Sequence, residues 1–85
     1  MRIIGIDPGK AGGIAALGDV NSTIEAMKMP DTERDIWELI YGLRIQPTFA
    51  YIEEVHAAPG NGVSSMFTFG MGYGGLRMAL IAAGI

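Results

Sequence analysis

Arg2-Ile3-Ile4-Gly5-Ile6-Asp7-Pro8-Gly9 is the stretch that decides the fold. Arg2 to Asp7 reads as a strand whose apolar run is continuous rather than alternating, the pattern of a central strand covered on both faces. An acid, Asp7, stands where the strand runs out, and Asp7-Pro8-Gly9-Lys10 is a turn signal. Downstream, Gly12 to Leu17 reads as a second strand closing at Gly18-Asp19, and Ser22 to Met29 as a third. Connections this short predict antiparallel hairpins.

Pro30-Asp31-Thr32 then opens a helix. Thr32 with Asp35 three residues on has the form of a capping box, and Asp31, Glu33 and Asp35 suit the positive end of the helix dipole. Ile36, Leu39, Ile40 and Leu43 follow the i, i+3, i+4, i+7 spacing of one packed face. Pro47 marks the exit. Phe49 to Glu54 reads as a fourth strand, parallel to the first because a helix separates it from the hairpins. Ala57 to Gly62 is a loop. A second helix is expected from Ser64 or Ser65, either of which can cap it, with Phe67, Gly70, Met71, Gly74, Met78 and Ile81 as its apolar face and Gly84 as its C′ residue. The expected order is β-β-β-α-β-α: one α/β domain over residues 1–85, built on an open mixed sheet.

Composition narrows the chemistry. At 85 residues the chain has room for one small domain. With no cysteine and a single histidine, disulfide scaffolds and cysteine- or histidine-rich metal cages are excluded. No stretch has the roughly 18–20 apolar residues of a membrane span, and no secretory signal is visible, so a cytoplasmic location is expected. The net charge is −3, and all nine carboxylates lie at or before Glu54. Acid chemistry must therefore come from the first 54 residues.

Two motifs fit that requirement. In Ile4-Gly5-Ile6-Asp7-Pro8-Gly9 a rigid strand end holds a carboxylate beside a glycine turn that a phosphate or metal can approach closely. In Tyr51-Ile52-Glu53-Glu54-Val55 an acid pair ends another strand. If the two strands are neighbours, Glu53 comes beside Asp7, while period-two geometry sends Glu54 to the other face. Two close carboxylates repel unless a cation lies between them, and Mg²⁺, with Mn²⁺ as its substitute, is the natural one. The plainer alternatives are an Asp that only caps a turn and two exposed strand-end acids.

These same segments, Ile4 to Gly9 and Tyr51 to Val55, resemble the opening and the second acidic motif of RuvC-like Holliday-junction resolvases, with a weaker likeness to the phage-type branch. The resemblance extends over essentially the whole chain. It implies a ribonuclease-H-like fold, metal-dependent nicking of branched DNA such as four-way junctions, action as a homodimer without organic cofactor, and catalytic metal ligation by Asp7 and Glu53. The family pattern continues with a further strand and a helix bearing more acids. Val55 to Ile85 supplies neither, so an incomplete domain is expected. Lys10, His56, Asn61, Ser64 and Arg77 are candidate DNA contacts, each with a plain alternative as a solvated, turn or capping residue. Two rival classes stand beside the nuclease. An actin-like or sugar-kinase nucleotide-binding fragment also starts with a strand, an acid and a glycine turn, but usually has Thr or Ser where this chain has Lys10 and Ala11. A non-catalytic DNA-binding or dimerisation module would keep the fold and lack the chemistry. Gly70-Met71-Gly72-Tyr73-Gly74-Gly75 matches a dinucleotide-binding pattern in letters only, because it falls inside the second helix rather than after a strand.

Overall fold

The structure is a computed structural model that describes residues 1–18, 24–45, 47–55, 60 and 62–85. The elements are β1 (Arg2–Asp7), β2 (Gly13–Leu17), β3 (Ile24–Lys28), α1 (Glu33–Leu43), β4 (Thr48–Ile52) and α2 (Val63–Ala82), in the expected order. They form a mixed four-stranded sheet in the order β3-β2-β1-β4. β2 is antiparallel to β1 and to β3, and β4 is parallel to β1. A hairpin return needs few residues, whereas a parallel return needs a crossover, which α1 provides.

The turn after β1 closes as its glycines dictate. Gly9 has φ 110°, and the Gly12 N–H donates to the Gly9 carbonyl at 3.0 Å. A Cβ on Gly12 would stand 1.9 Å from the Asp7 carbonyl oxygen, so only glycine fits there. The Met29 N–H donates to the Gly12 carbonyl at 3.1 Å, which ties the chain after β3 to the same turn.

Thr32 caps α1 as expected: its Oγ1 accepts from the Asp35 N–H at 3.1 Å. Ile40 and Leu43 are buried, and Ile36 and Leu39 pack against the core with Trp37. Arg2 Nη1 donates to the Leu43 carbonyl at 2.7 Å, joining the end of α1 to the start of β1. At the helix exit Arg44 stacks on Tyr41, with its guanidinium 4.2 Å from the ring centre.

Both helices lie on one face of the sheet. Ile4, Ile6, Ile14 and Ala16 from the sheet meet Ile40 and Leu43 of α1 and Leu76, Ala79 and Leu80 of α2 in a single core. The opposite face of β1, carrying Gly5 and Asp7, is exposed. This corrects the reading of β1 as covered on both faces. Its odd positions read as apolar because Gly5 is small and Ile3 is half-buried, not because a layer lies over them.

Helix α2 departs further from expectation. It begins at Val63 with Gly62 as its N-cap and no side-chain cap hydrogen bond, so neither Ser64 nor Ser65 caps it. Its core-facing side is Leu76, Ala79 and Leu80, continued by Ala83, whereas Phe67, Gly70, Met71, Gly74, Met78 and Ile81 are all exposed. The end is as read: Gly84 has φ 79°, and its N–H donates to the Ile81 carbonyl at 3.0 Å.

Candidate functional site

Asp7 and Glu53 come together through strand register. The last matched pair of β1 and β4 is Ile6 with Ile52, and the Glu53 N–H still donates to the Ile6 carbonyl at 3.3 Å. The next step along both strands sets Asp7 beside Glu53. Parallel neighbours lie about 4.8 Å apart, and side chains at matched positions point to the same face. Both residues are exposed, on the sheet face opposite the helices. Glu54 falls at the next position along the chain, outside this pairing.

The same register extends the row across the sheet. Asp7 pairs with Gly13, and Gly13 pairs with Lys28, so Lys28 stands on the same face two strands from Asp7. Sequence reading missed this lysine, although the two hairpins, once paired, fix its row. In the row below, Tyr51 lies beside Gly5 and is 71 % exposed. Residue 5 has no side chain, so the tyrosine ring stands clear next to the acid pair.

The surroundings suit a hard cation with retained waters. Mg²⁺ is commonly held by one or two carboxylates together with waters and substrate phosphates, which an exposed acid pair at a sheet end permits. Among the described residues no cluster of three or more His, Cys, Asp or Glu occurs; Asp7 and Glu53 are the pair that the register sets side by side.

Lys10 and Ser64 meet elsewhere. They line a groove of about 710 Å³ between the β1–β2 turn, the residues leading into α1 and the first turns of α2. Thr68 and Ser65 add hydroxyls, Asp31 and Glu33 add carboxylates beside Lys10, and Met29, Ile36 and Leu76 add apolar surface. The Phe69 ring closes one side against the turn, 3.2 Å from where a Cβ on Gly9 would sit. Neither Asp7 nor Glu53 lines this groove. The groove is on the helix-covered side of the turn and the acid pair is on the other. Arg77 is separate again: it follows Ser64 by thirteen residues, about 20 Å along the helix axis, and its guanidinium lies 5.8 Å from the Tyr73 ring centre. His56 and Asn61 lie outside the described residues.

Comparison with protein-family models finds no match, and neither does comparison with curated proteins. No helix among the described residues is long and apolar enough to cross a membrane.

Proposed function

We propose that this chain carries the metal-binding centre of a ribonuclease-H-like, RuvC-type endonuclease acting on branched DNA, with Asp7 and Glu53 as the cation ligands. One observation carries the reading. Two acids 46 positions apart in the chain are neighbours on the exposed end of one sheet face. The order β-β-β-α-β-α, with the fourth strand parallel to the first, supports it.

When bound, a divalent cation supplies Lewis acidity at a phosphodiester oxygen and a water of lowered pKa. The chain's own residues supply position. The carboxylates of Asp7 and Glu53 fix that charge at the rigid end of the sheet. Lys28, in the same row, offers a positive charge to a flanking phosphate. Tyr51 offers an aromatic face to a base of an unstacked strand. Lys10, at the turn after β1, offers a second positive charge to phosphate at the rim of the groove.

The test is nicking of a synthetic four-way junction, read as strand shortening on a denaturing gel in Mg²⁺ or Mn²⁺. Wild type should nick weakly, with two acids to hold the cation, and Asp7→Asn should not nick at all. Cleavage that survives Asp7→Asn, or none by wild type in either metal, would overturn the proposal. The count of two carboxylates favours a second reading, a DNA-binding module of the same fold without cleavage. Junction retardation in Ca²⁺, with no product in Mg²⁺ or Mn²⁺, would mark it.

A further inference from the structure

The strand registers lay out the sheet face that carries the acid pair as three rows. The charged row runs Lys28, Gly13, Asp7 and, one step past the last matched pair, Glu53. The row at the other end is apolar: Ile24, Leu17, Ile3 and Phe49. Between them lie Ala26, Ala15, Gly5 and Tyr51. From Ala26 to Gly5 no side chain in this middle row is larger than a methyl group. The centre of the face is therefore a shallow seat about 10 Å across, the width of two strand spacings. Tyr51 closes one end of it, and the charged and apolar rows border its sides.

Gly5 is what keeps the seat open. A Cβ there would meet nothing within 4 Å, so no contact among the described residues calls for glycine. Gly13 differs, because a Cβ there would stand 2.7 Å from the Met27 carbonyl oxygen. Glycine weakens the interior of a strand, and its gain is close approach of a ligand. A β-branched residue would be the ordinary choice in a central strand. The groups around the seat indicate the ligand. Tyr51 offers an exposed aromatic ring, and Ile3 and Leu17 offer apolar contact. Lys28 and a divalent cation between Asp7 and Glu53 would make the charged row net positive, which suits a phosphate. A flat ring joined to a phosphate is a nucleotide whose base has left the stack.

We propose that Gly5, Ala15 and Tyr51 seat one unpaired base of the DNA strand being cut, beside the phosphodiester that the cation binds. This rests on the nuclease reading and narrows its substrate to DNA with an unpaired nucleotide at the cut. Gly5 and Tyr51 lie two residues along their strands from Asp7 and Glu53, about 6.6 Å away. That is roughly twice the 3.4 Å rise of a stacked DNA strand. A strand must therefore leave its stack to put a base at the seat and the adjoining phosphate at the acids. In a duplex each base is turned inward with both faces stacked, so it can bring phosphate to the acid pair but no ring to the seat. A freed base stacks on Tyr51 with its edge over Gly5 and Ala15, and no side chain has to move aside.

Fluorescence anisotropy of a labelled oligothymidylate, with Ca²⁺ in place of Mg²⁺, reads binding by the full chain without cleavage. The single strand should bind at least about tenfold tighter than a blunt duplex of the same length. Tyr51→Ala should weaken it about 5- to 150-fold, the range for loss of one base–aromatic stack, and Tyr51→Phe should restore it. Gly5→Val should weaken it while melting no lower than wild type, since valine enters open space on a strand. Equal affinity for duplex and single strand overturns the proposal, as does undiminished binding by Tyr51→Ala or Gly5→Val. Absence of single-strand binding overturns it too, whether the face is bare or taken up by a second copy. The nuclease reading fails separately. If the single strand binds through Gly5 and Tyr51 but no junction is nicked in Mg²⁺ or Mn²⁺, the seat stands without the chemistry. If junctions are nicked and Gly5→Val binds and nicks like wild type, the chemistry stands without the seat.

Discussion

Replacing Asp7 by Asn tests the acid pair without any nuclease assay. Asp7 and Glu53 share one end of two paired strands, and both are exposed. If the carboxylates are spaced as their strands are, by roughly 5 Å, the repulsion in a water-like dielectric is about 0.8 kcal/mol before salt screening. Removing one charge should therefore stabilise the metal-free chain by roughly 0.5–1 kcal/mol at low ionic strength, or about 2–8 °C in melting temperature for a domain this small. Cation binding should distinguish the two proteins in size of effect. At a concentration ten times its dissociation constant, Mg²⁺ should stabilise wild type by about 1.4 kcal/mol and the variant by little. The assay is thermal melting by circular dichroism with and without Mg²⁺, with Glu53→Gln as the matched variant. Glu54→Gln, one position along, should leave the Mg²⁺ response intact. If Asp7→Asn melts lower than wild type without metal and both gain equally from Mg²⁺, the two carboxylates do not form one site.

Other substitutions test the fold that holds the pair. Ile4 is fully buried in β1, and Ile4→Ala should cost about 2–5 kcal/mol, enough to unfold much of a domain whose whole stability is on the order of 5–10 kcal/mol; a lost or flattened melting transition is the readout. Thr32→Ala removes the α1 cap and should lower stability by about 0.5–2 kcal/mol, measured by urea denaturation, whereas Thr32→Ser should not. Gly12→Ala drives a Cβ into the Asp7 carbonyl, so it should lower the melting temperature and blunt the Mg²⁺ response together. Gly42→Ala, in α1 with open space at its Cβ, should instead raise stability by about 0.5–1 kcal/mol.

Much of the site was legible because it depends on period and order, which sequence states directly. A helix between the hairpins and Phe49 to Glu54 required a parallel β4, and a parallel β4 beside β1 brings Asp7 and Glu53 to the same level. The two-residue period then separated Glu53 from Glu54. The Thr32 cap and the face of α1 were readable for a similar reason: polar positions interrupt the apolar ones, so the helix declares which side is inward. Lys28 was missed because its row depends on two successive registers, β1 with β2 and β2 with β3, and hairpin register is set by turn geometry that the letters specify weakly.

Helix α2 shows where such reading stops. The expected face and the observed one are both apolar, and they are on opposite sides of the helix. Periodicity assigns a direction only when polar residues mark the outside, and here there are too few to do so. Packing decided the matter through volume. Ala79 and Ala83 are small enough for α2 to lie close over the sheet and α1, while Phe69 fits against the side-chain-free Gly9. Phe67, Met78 and Ile81 lie on the other side of the helix and are exposed. A helix that is apolar on both sides leaves one of them exposed in this fold. The misreading of the α2 face is a consequence of that missing polar boundary.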